Sequence, residues 1–311
     1  MDGNRELLYA IVQNMEKVII GKRAAVEYSL LTLISGGHLL VVDVPGVGKT
    51  SLVSSLAKSV NGSFKRVQFT PDVLPSDITG FVMYNKKNEE FVFRHGAVDC
   101  NFLLADEINR TSPKTQSSLL EAMEDGRVSV DGQTYELPQP FMVMATQNPI
   151  EYVGTYPLPE AQLDRFFMKI SLGYPGVRDE VEIVSNRTLI DPIDEITPVA
   201  SVEDIKNIQE EVRHVNVETS LINYIVRLAD ATRNDPEILL GMSPRAVIAL
   251  RRAGQAMAYY KGRDYVLPED IKILAQVVLP HRMILSQEAK VKKLSPEAVI
   301  NRILNMVSLF I

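Results

Sequence analysis

The feature that most constrains this chain is the run DVPGVGKTS, Asp43 to Ser51, set between the apolar stretch HLLVV and the helical pattern TSLVSSLAKSV. A buried strand that passes through two glycines into a helix has few backbone solutions. Gly46 and Gly48 can adopt positive φ, which turns successive N–H groups toward one point, and the helix adds the positive end of its dipole. That arrangement suits a phosphate. Lys49 would neutralise it, and the Thr50 hydroxyl suits Mg²⁺. Gly46, Val47, Gly48, Lys49, Thr50 and Ser51 are therefore the candidate phosphate-binding set. The usual pattern starts with glycine where this chain has Asp43. This position lies where strand becomes loop, away from the phosphate-facing N–H groups, so a side chain pointing outward can be tolerated there. The competing reading is a glycine-rich turn with a solvated lysine.

The 311 residues suffice for roughly two domains with a substantial core. A net charge of −6 disfavours nucleic acid and anionic membrane as general partners. Cys100, the single cysteine, cannot form an internal disulfide. The four histidines, His38, His95, His214 and His281, lack metal-ligand spacing and are better read as packing or hydrogen-bonding groups. The N-terminus is charged from its second residue and lacks the apolar core of a signal peptide. The run SLLTLISGGHLLVV is broken by Gly36, Gly37 and His38 and falls short of the ~20 residues that span a bilayer. A cytoplasmic location is expected.

Hydrophobic periodicity predicts a first helix, carrying Leu7, Leu8, Ile11, Val12, Met15, Val18 and Ile19, that ends near Gly21. A second helix runs from about Ala24 to Ile34. Strands are expected at 65–69, 80–84 and 90–93, the last two joined in a hairpin by the turn NKKN. CNFLLADE reads as a central parallel strand, and Ser112-Pro113 opens a helix that Gly126 ends. VSV-DG-QTYEL is a second hairpin, because Asp131-Gly132 suits a two-residue turn with positive φ. FMVMATQNP is a further buried strand. This alternation of strands and helices argues for a mainly parallel sheet covered on both faces, and from about Ser201 the pattern is helical.

Two further motifs complete a nucleotide site. FLLADE ends its strand in two acids: Asp106 can hold Mg²⁺ and Glu107 can polarise an attacking water. ATQNP puts Gln147 and Asn148 at a strand end, where an amide can orient water against a terminal phosphate; a turn-forming Asn before Pro149 is the competing reading.

The segments DVPGVGKT, FTPDVLPSDITG, LLADEINRTSPKTQSSLLEAMEDGRV, ATQNPIEYVGTYPLPEAQLDRFF and GMSPRA occur in this order over nearly the whole chain. Together they resemble the MoxR family of AAA+ ATPases, in which the Asp43 variant of the loop also occurs. The resemblance implies an α/β fold, a P-loop AAA+ parallel-sheet domain at 1–190 followed by an all-α lid at 191–311. It implies ATP and Mg²⁺ as ligands, with Lys49 and Thr50 as the Walker A pair, Asp106 and Glu107 as the Walker B pair, and Asn148 as sensor 1. Arg165 of LDRF resembles the arginine finger that reaches a neighbouring subunit's ATP; a surface arginine paired with Asp164 or Glu160 is the alternative. Arg245 of GMSPRA resembles sensor 2, whose reach across the domain cleft would couple ATP to lid closure. Ile19, Ile20 and Gly21 resemble the adenine-contacting segment. HGAVDC, His95 to Cys100, is more polar than the family's usual sequence there, which bears on partner specificity.

The implied activity is ATP-driven remodelling of a client protein by an oligomeric ring, a hexamer, with chaperone-like action often directed at metalloenzymes and a partner carrying a von Willebrand factor A domain. The two hairpins resemble insertions that project from the ring and meet the client. A DNA motor is the second reading, but residues 112–140 carry two basic against five acidic side chains, with an acid at the hairpin turn. A guanine-nucleotide switch is the third, and NKKN lacks the acid that would pair with the base.

Overall fold

The computed structural model describes residues 2–149, 155–186 and 191–309. The strands are β1 (Leu39–Val42), β2 (Phe64–Gln68), β3 (Gly80–Asn85), β4 (Glu90–His95), β5 (Phe102–Asp106), β6 (Arg127–Val130), β7 (Gln133–Glu136), β8 (Met142–Gln147), β9 (Met168–Ile170), β10 (Ile238–Leu240) and β11 (Ile284–Leu285). Five of them form a sheet in the order β2-β5-β8-β1-β9, and every pairing in it is parallel. In such a sheet the ligand lies beyond the carboxyl ends of the strands. This end holds the phosphate-loop candidate after β1, the acids after β5 and the amide after β8.

Alternation along the strands divides the interior. Leu39, Val41, Phe102, Leu104, Met142 and Met144 face one core, shared with the first helices and the C-terminal region. Leu40, Leu103, Ala105, Val143 and Ala145 face a second core under the helix Pro113–Asp125 and the hairpins. The C-terminal helices therefore share the core on the first face of the sheet.

The C-terminal helices Val202–Arg213, Thr219–Arg233, Pro244–Tyr260, Pro268–Val278 and Pro296–Met306 match the helical pattern. One short antiparallel pair, β10 with β11, lies among them. With two and three residues, these strands are too short to carry a readable period. The first helix ends at Glu16, five residues before the expected stop at Gly21. Val18 and Ile19 both donate their N–H to Met15 O, so the chain leaves the helix in a tight turn and carries these apolar residues to a cavity wall. The boundary expected at residue 190 falls in 187–190, outside the described residues, as does Ile150–Gly154 of the ATQNPIEYVGT segment.

Both hairpins form as expected. β3 pairs with β4 and β6 with β7, and the turn of the second has φ +50° at Asp131 and +79° at Gly132. Phe93 of the first hairpin stacks on Tyr135 of the second with ring centroids 3.8 Å apart, so the two form one projection. Phe81, Tyr84 and Phe91 remain exposed on it. Cys100 is buried, and burial pushes its thiol up to about 12, so at neutral pH it is an unreactive core residue.

His38 precedes β1 and is buried between two backbone groups. Val143 N–H donates to its Nδ1 at 3.0 Å, which leaves Nε2–H to donate to Met123 O at 2.9 Å. This pattern requires a neutral ring, and burial lowers its pKa from 6.5 to about 4. The unfolded chain takes up the proton near 6.5 while the folded chain resists until about 4, so stability is complete above the first value and lost as pH falls toward the second. Relative to pH 7, this one residue is expected to cost about 2 kcal/mol at pH ~5, read from urea unfolding at the two pH values. His38→Gln should flatten that dependence; an unchanged slope would remove the assignment.

Candidate active site

A cavity of about 680 Å³ opens beyond the carboxyl ends of β1 and β5. Its floor is the loop from Pro45 to Ser51. Gly46 and Gly48 have φ of +85° and +93°. A Cβ at either would meet nothing within 4 Å, so backbone conformation, not crowding, calls for glycine. Gly48 caps the helix Lys49–Ser59, whose free N–H groups and positive end point into the cavity. Lys49 is only 8% exposed and donates to Asp43 O at 3.1 Å. A buried ammonium with a carbonyl partner is the environment an anionic ligand would complete.

The acids lie on the opposite side. One Asp106 oxygen accepts from Thr146 Oγ1 at 2.7 Å and the other from Arg66 at 2.7 Å. Glu107 has φ of +56°, uncommon for a residue with a side chain. Its N–H is held by Thr146 Oγ1 at 2.8 Å, and its Oε2 accepts from Gln68 at 2.7 Å and Arg110 at 2.9 Å. The Thr146 hydroxyl thus ties β8 to both acids at once. Thr50 and Asp106 line the same cavity. Hydroxyl and carboxylate are hard oxygen donors, and among the described residues no group of three or more His, Cys, Asp or Glu is placed to hold a metal ion by itself. A partial oxygen set fits Mg²⁺, which keeps several waters and completes its shell with phosphate oxygens.

Beyond the loop the cavity becomes more apolar, lined by Val18, Ile19, Ile20, Tyr174, Ile183 and Val184, with Lys22 and Glu180 among them. The chain thus presents a cationic, N–H-rich end and an apolar end, matching the two halves of a nucleotide. Ile20 lies on this wall. Gly21 does not line the cavity; with φ +73° it makes room for Asp179, whose carboxylate a Cβ there would strike. Asn148 is 6% exposed, directly after β8, and is absent from the cavity lining, with the neighbouring Gln147 accepting Asp43 N–H at 3.1 Å.

Arg165 and Arg245 are both elsewhere. They line a second cleft of about 200 Å³, which shares no lining residue with the first. Glu124, near the end of the helix Pro113–Asp125, joins them: Arg165 Nε donates to one carboxylate oxygen at 2.8 Å and Arg245 donates to the other. Burial raises the Glu124 pKa, but bonds to Arg165 and the charge of Arg245 outweigh it and the net shift is downward. Arg165 thus pairs with neither Asp164 nor Glu160. Arg245 does not line its own chain's nucleotide cavity, because the lid packs its helix Pro244–Tyr260 beside the segment that carries Asp164 and Arg165. Ser243, which caps that helix, donates to Asp164 Oδ2 at 2.9 Å. The buried Arg282 donates to Phe166 O at 2.6 Å. The lid is thus fastened to the residues on either side of Arg165.

Asp43 also differs from expectation. It points inward, 6% exposed, and accepts hydrogen bonds from the segment after β9. Arg66, Gln68, Thr146 and Glu124 are the other site residues that sequence reading missed. Gln68 and Arg66 alternate along β2 as an exposed strand face would, and only pairing with β5 brings them to the acids.

A nucleotide-type cavity at the end of this parallel sheet, with a helical lid, defines an AAA-type ATPase. Residues 38–168 match the model of the ATPase family associated with various cellular activities, and residues 230–303 match the AAA lid domain. The chain is 52% identical to the uncharacterised protein YeaC of Bacillus subtilis over 97% of its length and 94% of the relative's. It is 43% identical to the chaperone MoxR1 of Mycobacterium tuberculosis, covering 99% of this chain and 85% of that one. The crystal structure of a candidate ATPase from Cytophaga hutchinsonii superposes with a TM-score of 0.91 at 42% identity, over 98% of this chain and 96% of that one. The chain belongs to the MoxR family of AAA+ ATPases.

Proposed function

We propose that this protein hydrolyses ATP with Mg²⁺ in a ring of identical subunits, a hexamer, and uses the turnover to remodel or mature a client protein. The observation that carries this reading is the separation of the two arginines from the cavity. Arg165 and Arg245 stand together on Glu124 in a cleft of their own, so they serve a phosphate supplied from outside the subunit.

Within one subunit, the loop N–H groups and Lys49 hold the phosphates, and Thr50 and Asp106 would hold Mg²⁺, which screens phosphate charge when bound. Glu107 accepts the proton of the attacking water as it adds to the terminal phosphorus, while the bond from that phosphorus to the bridging oxygen breaks and ADP leaves with the electron pair. Asn148, buried beside the loop, orients that water or the phosphate. The neighbour's Arg165 and Arg245 stabilise charge on the transferred group, a contribution worth ~10³ or more in rate for a guanidinium supplied in trans. The lid, divided from the sheet domain near residue 190, is fastened to the finger segment, so lid position and trans arginines change together.

The joined hairpins, with Phe81, Tyr84 and Phe91 exposed, offer an apolar contact for a protein client. A von Willebrand factor A domain partner is part of this proposal. Asp131 at the β6–β7 turn argues against a strand of DNA there. Among the described residues no helix is long and apolar enough to cross a membrane.

The test is ATP hydrolysis against protein concentration, with Glu107→Gln and Arg165→Ala subunits also mixed at fixed total protein. Specific activity is expected to rise with concentration, and the mixture to exceed the average of its inactive components, because an intact cavity then meets an intact arginine pair. Concentration-independent activity without rescue would remove the trans assignment.

A further inference from the structure

We propose that Asp43, which stands where the phosphate-loop pattern has glycine, is a positioning residue: its carboxylate fixes the segment Ser171–Gly173 and thereby the wall that grips the nucleoside half of the ligand. This rests on the nucleotide reading of the cavity. It concerns the half of the site that the loop pattern itself does not describe.

Asp43 follows β1 directly, and the register that pairs Leu39 with Met168 and Val41 with Ile170 carries it to the level of Leu172. There its carboxylate receives three donors from consecutive residues. Ser171 Oγ donates to Oδ1 at 3.0 Å, Gly173 N–H donates to Oδ1 at 3.1 Å, and Leu172 N–H donates to Oδ2. Gly173 has φ of +60°, which turns its N–H toward the same group as its predecessor's. A carboxylate is costly to bury unless its oxygens are satisfied, and hydrogen bonds to an ionised acceptor are the strong kind. The acid therefore holds three residues of an otherwise unpaired stretch in one conformation.

That stretch continues into the far wall. Tyr174 and Pro175 line the cavity, and the helix Val177–Asn186 that follows contributes Ile183 and Val184. Lys22 Nζ adds a second tie, donating to Tyr174 O at 2.6 Å. The loop's own start does not depend on the Asp43 side chain, because Asp43 N–H is bonded to Gln147 O at 3.1 Å and its carbonyl receives Lys49. Side chain and backbone of one residue thus serve different halves of the site. Glycine at this position would keep the second and lose the first.

The separation gives a selective expectation. Affinity for ATP and for inorganic tripolyphosphate, which has the phosphates without the nucleoside, is measured by calorimetry on the full chain carrying Asp43→Ala, Asp43→Asn, Ser171→Ala or Lys49→Ala. D43A is expected to weaken ATP about tenfold, raising KM with kcat within about threefold, while tripolyphosphate binding stays within about twofold. D43N keeps one acceptor oxygen and should fall between D43A and the native protein. S171A removes one of the three donors and should weaken ATP about twofold. K49A is expected to lose both ligands. If K49A keeps both, the nucleotide reading itself falls and the Asp43 role with it. If K49A loses both but D43A binds ATP as the native chain does, only the Asp43 role is overturned. Equal loss of both ligands in D43A would mean general damage to the loop and also overturn it. Should D43A not fold, native ATP affinity in both D43N and S171A is the overturning result.

Discussion

Glu107→Gln is expected to retain ATP and to lower kcat by about 10²–10⁴, the range that general-base catalysis supplies. The geometry explains why binding should survive. The backbone of Glu107 is set by its N–H bond to Thr146 Oγ1, and its unusual φ is fixed by the end of β5, not by its charge. Glutamine keeps an oxygen that can accept from Gln68 and Arg110, so the side chain stays on the cavity wall. What disappears is an oxygen basic enough to take the proton of water. The measurement pairs equilibrium ATP binding with single-turnover phosphate release. Native-like turnover would assign the base elsewhere, whereas lost binding would mean that Glu107 shapes the site and does not act on water.

The sheet and its hairpins were readable because their signals are local. Two glycines bracket the loop that follows β1, Asp131-Gly132 demands a particular turn, and β5 and β8 are short continuous apolar runs, as strands buried on both faces are. The same holds for the chemistry of Lys49, Thr50, Asp106 and Glu107, which the fold brings to one cavity. The parts that were not readable depend on partners without local signature. Glu124 meets Arg245 across 121 positions of sequence, and nothing in either helix pattern announces it. Asp43 was expected outward because its donors are largely the N–H groups of Leu172 and Gly173, and backbone donors look alike at every position. Val18 and Ile19 continued the helical period past its true end, since residues lining a ligand wall are apolar for the same reason as residues in a core. Gln68 does not stand out because polar side chains that line a water-filled cavity obey the same alternation as solvent-facing ones.

Lys49→Ala is expected to weaken ATP at least about a hundredfold while leaving the unliganded fold within about 1 kcal/mol of the native stability. The two effects separate because this lysine has a poor environment without ligand. Its ammonium is buried, and among the described residues its hydrogen bond goes to a neutral carbonyl, Asp43 O. Alanine removes a cation whose desolvation that one bond only partly offsets, so the empty protein loses little. With phosphate present the balance reverses, because the loop N–H groups alone cannot neutralise the ligand's charge. Thermal unfolding with and without nucleotide reads both quantities. At ATP near 100 times Kd the native protein should gain about 2.7 kcal/mol, whereas the variant at the same concentration should gain less than about 0.5 kcal/mol. A full ligand-induced gain in Lys49→Ala would mean that the phosphates do not lie on this loop. A large loss of stability without ligand would mean that Lys49 is part of the core, held there for packing and not for charge.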